Sequence, residues 1–210
     1  KLKMARARTT ARKRALNTLY EADEKGEEIV DLLDERLAYP GAQTPLPPYA
    51  QEIVRGVASH RRTVDKALEE HSEGWDVKRM HVLDRNIARM AAWEIIYNDD
   101  VPAKVAIDEA LTLAKAYSDD EAPHFLHGLL SAIERDAEQI RLEEADWEQE
   151  QARLAAQKAE EETETVETVE EGESTQEADQ ANRAEQDGQD EPAEEAGELA
   201  GEEGEPENRN

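Results

Sequence analysis

Seven cations crowd the first twenty residues of this chain: Lys1, Lys3, Arg6, Arg8, Arg12, Lys13 and Arg14, with no acid among them. The chain as a whole carries a formal net charge of −27. A +7 segment in that setting is the pattern of contact with a polyanion, because clustered guanidinium and ammonium groups raise the local potential that attracts phosphates. The plainer reading is a solvated terminus that binds nothing in particular. A second group worth testing is Glu121, His124 and His127, since Glu-x-x-His on a helix can serve a metal. A bundle metal site needs further inward carboxylates from other helices, and the sequence designates none, so surface or interface histidines are expected and no metal. There is no glycine-rich phosphate loop and no nucleophile motif, so neither an enzyme nor a cofactor is expected. The chain has no cysteine, which removes thiol chemistry and disulfides.

Those residues need a scaffold, and the composition says where it lies. Residues 1–141 hold 21 Lys and Arg against 26 Asp and Glu, whereas residues 142–210 hold 4 against 26, a net −22. The first part has the aliphatic and aromatic content to form one core. The second has one aromatic residue, Trp147, and cannot bury enough apolar surface to offset the entropy of ordering. The expected organisation is a basic arm over 1–10, a helical domain over 11–141 and an acidic tail over 142–210. The tail is expected to start as an exposed helix to about residue 162 and to be disordered from Thr163. It serves solubility, or it screens the +7 arm from its polyanion. No apolar run approaches a membrane span and no signal-peptide core follows the basic start, so a cytoplasmic protein with no membrane partner is expected.

Within the domain the pattern is helix after helix. Ala15, Leu16, Leu19 and Tyr20 recur at helical spacing, so the basic arm runs into an amphipathic helix. A short second helix buries Ile29, Val30, Leu33 and Leu37. Tyr39 to Pro48 is a stiff connection rich in proline. One longer third helix is expected from Tyr49 to Leu68, with Arg55, Arg61, Arg62 and Lys66 outside. These four extend the basic surface or form a solvated face. After a break at Gly74 and Trp75, Ile87 to Tyr97 is apolar except for Arg89 and Glu94, which marks a central helix. Its two charges must pair with other elements, because an unpaired buried charge costs several kcal/mol. Pro102 opens the next helix, whose stripe is Ile107, Ala110, Leu111, Ala114 and Tyr117. An acidic turn, Ser118 to Pro123, leads to the last helix, which buries Phe125 or Leu126, Leu129, Leu130, Ile133, Ala137 and Ile140. Gly128 inside it predicts a close helix crossing.

Several of these segments carry a resemblance. Ala11-Arg12 through Ala15-Leu16 to Leu19-Tyr20, then Val54-Arg55-Gly56-Val57, Trp75, Leu83, Arg89 and Glu94, are similar to the NusB family of transcription antitermination factors. The most specific stretch runs from Val101-Pro102-Ala103-Lys104-Val105-Ala106-Ile107-Asp108-Glu109-Ala110 through Leu113-Ala114-Lys115 to Phe125-Leu126-His127-Gly128-Leu129-Leu130. The resemblance spans about Ala5 to about Arg135. It implies an all-α domain of about seven helices in two small bundles, without catalytic activity. It further implies binding of boxA-type single-stranded RNA in nascent ribosomal RNA transcripts together with the ribosomal protein NusE. NusA, NusG and RNA polymerase complete that antitermination complex, and relatives occur as monomers or homodimers. Carried over residue by residue, RNA contact falls on Arg6, Arg8, Arg12, Lys13 and Arg14, and the partner or RNA interface on Tyr20, Asp120, Glu121 and Phe125. Ala122 and His127 stand where the family commonly has Ser and Asn, so polar contacts made there by relatives do not transfer. Single-stranded RNA offers phosphates to cations and splayed bases to aromatic and guanidinium planes, which agrees with the arm's composition. The alternative is a helical protein adaptor in which the arm is incidental and the acidic turn or tail recruits basic partners.

Overall fold

The computed structural model describes the backbone of residues 2–39, 44–72 and 76–186, and the side chains of these up to 160 other than 2, 3 and 5. Among the described residues there is no strand. Seven α-helices follow in order: α1 (Leu2–Lys25), α2 (Ile29–Ala38), α3 (Pro48–Ser59), α4 (Arg61–His71), α5 (Val82–Tyr97), α6 (Ala103–Tyr117) and α7 (Ala122–Gln186). One 3₁₀ turn, Val77–Arg79, precedes α5. The chain divides into a compact unit, Lys1–Gln151, and a second unit, Ala152–Asn210. Within the second, the described side chains, 152–160, are exposed. Gly74, Trp75, residues 40–43 of the proline-rich connection and residues 187–210 lie outside the described residues.

Local chemistry sets the helix ends. α1 stops at Gly26, whose φ of 66° is open to glycine at little cost. Glu27 N–H then donates to Ala22 O at 3.0 Å and Gly26 N–H to Asp23 O, the paired bonds of a Schellman cap. α3 begins with Pro48 in its first turn, where a missing N–H leaves no bond unmade.

α5 is the central helix. Every residue from Asn86 to Glu94 is buried, and Ile96 with them. It packs against α1, α3, α4 and α6, while α1, α2 and α3 pack on one another. Leu126, Leu129, Leu130 and Ile133 of α7 join the same core, which resolves the Phe125/Leu126 alternative in favour of Leu126.

The expected pairing of the α5 charges is observed. Arg89 donates Nε to Asp65 at 2.7 Å and Nη1 to Asp23 at 3.0 Å, tying α5 to α4 and α1. Asp23 also accepts from Arg85 at 2.8 Å and Asn86 at 3.0 Å.

Four expectations are corrected. The third helix is two helices, with a corner at His60 (φ −105°, ψ 19°). No proline or glycine makes that corner; it is held by tertiary contacts, since the His60 ring stacks on Tyr97 at 3.8 Å between centroids. The close crossing lies at Gly56, where any Cβ would overlap the Trp93 indole, and not at Gly128, which has nothing within 4 Å of a Cβ position. Val30 and Tyr117 are about half exposed, because Leu32 and Leu113 take the inward positions of α2 and α6.

Candidate nucleic-acid interface

α1 has two faces of different chemistry. Ala11, Ala15, Leu16, Leu19 and Ala22 are buried, which fixes the helix against the core. Arg12 lies on this inner face, 2 % exposed. Its Nε donates to both carboxylate oxygens of Glu94 at 3.0 Å. Its Nη2 lies 2.8 Å from Glu94 Oε1, an ion pair by distance although not aligned as a hydrogen bond. Nη1 lies 3.6 Å from Glu109 of α6. The Tyr49 hydroxyl also donates to Glu94. Burial beside that carboxylate pushes the Tyr49 phenol well above its ordinary pKa of 10.0. This is a buried network joining α1, α3, α5 and α6, and Arg12 belongs to it rather than to the solvent-facing strip expected from the sequence.

The outer face is an exposed strip. Arg6, Thr10, Lys13, Asn17 and Tyr20 are all exposed, and their alternating spacing of four and three stacks them along one side of the helix. Arg8 stands at the margin, half-buried. Its guanidinium is 5.0 Å from the Tyr49 ring centroid, and Nη1 donates to Asp100 O at 3.3 Å. Arg14 is half-buried and tethered, donating to Thr44 Oγ1 at 3.0 Å, Thr44 O at 3.0 Å and Pro45 O at 2.8 Å. Of the five cations expected to contact RNA, the structure therefore puts Arg6 and Lys13 on the strip with Tyr20, Arg8 beside it, Arg14 on the connection and Arg12 inside. The register could have flagged Arg12, which is three and four residues from the inward Ala15 and Leu16. No sequence signal pointed to the Tyr49 hydroxyl as a partner of Glu94.

The other expected interface residues form a separate set. Asp120 and Glu121 are exposed and Phe125 is half-buried. Glu121 and Phe125 line a groove of about 380 Å³ with Arg79, Met80, His81 and Asp84. The turn before it is held by Ser118 Oγ, which donates to Asp84 at 2.5 Å. His124 and His127 are both exposed, and among the described residues no group of three or more His, Asp or Glu is arranged to hold a metal ion. No described helix is long and apolar enough to cross a membrane.

Residues 9–135 match the model of the NusB family. This chain belongs to the NusB family. Two relatives are each named transcription antitermination protein NusB. The one from Bifidobacterium longum subsp. infantis is 72 % identical over 127 residues, covering 60 % of this chain and 68 % of the relative. The one from Beutenbergia cavernae is 46 % identical over 147 residues, covering 66 % and 96 %. Among solved structures, T. maritima NusB aligns with a TM-score of 0.54 at 28 % identity, over 61 % of this chain and 91 % of that one. A structure of the antitermination factors NusB and NusE in complex with double-stranded RNA aligns with a TM-score of 0.54 at 27 % identity, over 62 % and 97 %. The NusB-matched region includes Lys13, Tyr20 and the groove, and it ends before Asp136, Glu143 and Glu144, the α7 residues paired with His71, Lys66 and Thr63 of α4.

Proposed function

We propose that this chain is a transcription antitermination factor, without catalysis of its own, whose α1 strip contacts boxA-type single-stranded RNA in nascent ribosomal RNA transcripts while NusE docks at the groove beside Phe125. The observation that carries this reading is the strip itself: in a chain of net charge −27, Arg6 and Lys13 stand exposed on one helix face that ends in an exposed aromatic ring. Family membership supports it, and the NusB relative solved with NusE and double-stranded RNA supports NusE and RNA as partners. Cations along the face track phosphates and Tyr20 offers a plane for a base. Discrimination among sequences falls to the two proteins together, since the strip has one aromatic residue. The resulting complex joins NusA, NusG and RNA polymerase.

The salt dependence tests this. Arg6, Arg8 and Lys13 acting on three phosphates give a slope of log affinity against log salt of about −2, at about −0.7 per phosphate on a single strand. Replacing Arg6 and Lys13 with Gln should weaken binding at low salt and flatten the slope by about 1.4, with NusE binding retained. Unchanged RNA affinity in that variant, measured by fluorescence anisotropy with NusE present, would overturn the reading in favour of a protein adaptor.

A further inference from the structure

The turns of α7 that follow the NusB-matched region carry an unusual string. Residues 142–151 contain five acids, no cation and Trp147. Their described contacts fall on α4, α5 and the corner between α3 and α4, not on the α1 strip. Glu144 is the anchor, 12 % exposed at its side chain. It accepts from Thr63 Oγ1 at 2.7 Å and the Tyr97 hydroxyl at 2.5 Å, and its partner on the corner is His60 Nδ1 at 3.1 Å. Either side of that anchor, two contacts are of another kind. Glu143 is paired with Lys66 Nζ at 3.0 Å, and the Trp147 ring lies 3.5 Å from the Arg62 guanidinium. All four of these side chains are exposed.

We propose that the outer face of α4 at Arg62 and Lys66 is a second contact surface for single-stranded RNA, occupied within the chain by Glu143 and Trp147. The argument is chemical correspondence. A single strand presents an anionic oxygen next to a flat aromatic ring, and it is bound by ammonium groups on the phosphate and guanidinium planes on the base. On α4 the same two cations hold a carboxylate and an indole in those roles. The cover can be displaced because exposed ion pairs and exposed cation–π contacts are weak, whereas the part-buried Glu144 keeps α7 seated while its neighbours let go. Acids temper the face: Glu70 lies 3.6 Å from Lys66, Asp65 is engaged by Arg61 and Arg89, and Glu144 and Asp146 line the adjoining groove. The open groove between α4 and α7, about 310 Å³ and lined by Arg62, Lys66, Ile140, Glu143 and Trp147, gives a strand its entry.

The test uses the full chain and a short unstructured RNA, read by fluorescence anisotropy at low ionic strength. Glu143→Gln with Trp147→Ala uncovers the face without touching Glu144. Affinity should rise by about fivefold, the size expected for removing one exposed cation–π contact and one exposed ion pair. The salt slope should steepen by about 0.7 for the one added phosphate contact, at Lys66. Adding Arg62→Gln and Lys66→Gln should abolish the gain. The same pair of measurements in an Arg6→Gln, Lys13→Gln background should give the same relative gain, so failure of the α1 reading is separable from failure of this one. An uncovered chain that binds no tighter, or a gain that survives loss of Arg62 and Lys66, overturns the proposal.

Discussion

Replacing Arg12 with Met separates a structural cation from a ligand-binding one. Arg12 and Glu94 are 3 % and 2 % exposed at their side chains, so the substitution leaves a carboxylate deep in the core without its main partner. Breaking such a buried pair from one side costs about 3–5 kcal/mol. Glu94 keeps the Tyr49 hydroxyl as a donor, which places the expected loss at the lower end, about 3 kcal/mol, or about 10 °C in Tm for a unit of this size. Adding Glu94→Leu removes the stranded charge and should recover part of that loss, so a double-mutant cycle gives a coupling of the opposite sign to the single effects. Urea unfolding followed by circular dichroism measures all three variants. The folded fraction of Arg12→Met should bind RNA within about twofold of the parent, far less than the loss of a charge-assisted contact would cause. A variant that unfolds with the parent but loses RNA binding would refute this assignment and return Arg12 to the contact surface.

The two helix glycines should behave oppositely. Gly56→Ala drives a Cβ into the Trp93 indole and should destabilise by about 3 kcal/mol, whereas Gly128→Ala, at an exposed helical site with nothing within 4 Å, should stabilise by about 0.5–1 kcal/mol. Denaturant midpoints read both. Acid should unfold the compact unit through Asp23 and Glu144. Burial alone would raise each, but hydrogen bonds from Arg85 and Asn86 with the charge of Arg89 hold Asp23 below its ordinary 3.8, and Tyr97, Thr63 and His60 hold Glu144 below 4.5. A carboxylate depressed in the folded state contributes stability that is present above its unfolded pKa and lost as pH falls through the folded value. Stability should therefore decline as pH falls below about 4, and Asp23→Asn should make that decline shallower; an equal slope in both proteins would remove Asp23 from the account.

The sequence showed the centre of this fold more clearly than its edges. An apolar run broken only by Arg89 and Glu94 could be a central helix and nothing else, and the rule against unpaired buried charge required partners for both. Which partners was not legible, because Arg12 lies 82 residues from Glu94 and Asp23 lies 66 from Arg89, and only packing brings them together. The corner at His60 was hidden for a related reason: nothing local breaks the helix there, and the stacking of His60 on Tyr97 that fixes it comes from α5. Counting cations singled out α1 as the candidate surface but overstated its exposed charge, since charge content does not say which way each side chain points. The apolar register says so for Arg12. Only the loop at 44 and 45 says so for Arg14.

The strip on α1 also works as a molecular ruler. Arg6 and Tyr20 are fourteen residues apart, so a rise of about 1.5 Å per residue separates them by about 21 Å, a span fixed by the helix's own backbone hydrogen bonding rather than by any tertiary contact. One inserted residue between Lys13 and Tyr20 would lengthen that span trivially yet swing the ring by about 100° around the axis, out of line with the cations. Drift in this helix is therefore constrained by phase more than by composition: lineages can exchange one outward cation for another, but they cannot gain or lose a single position without dismantling the alignment.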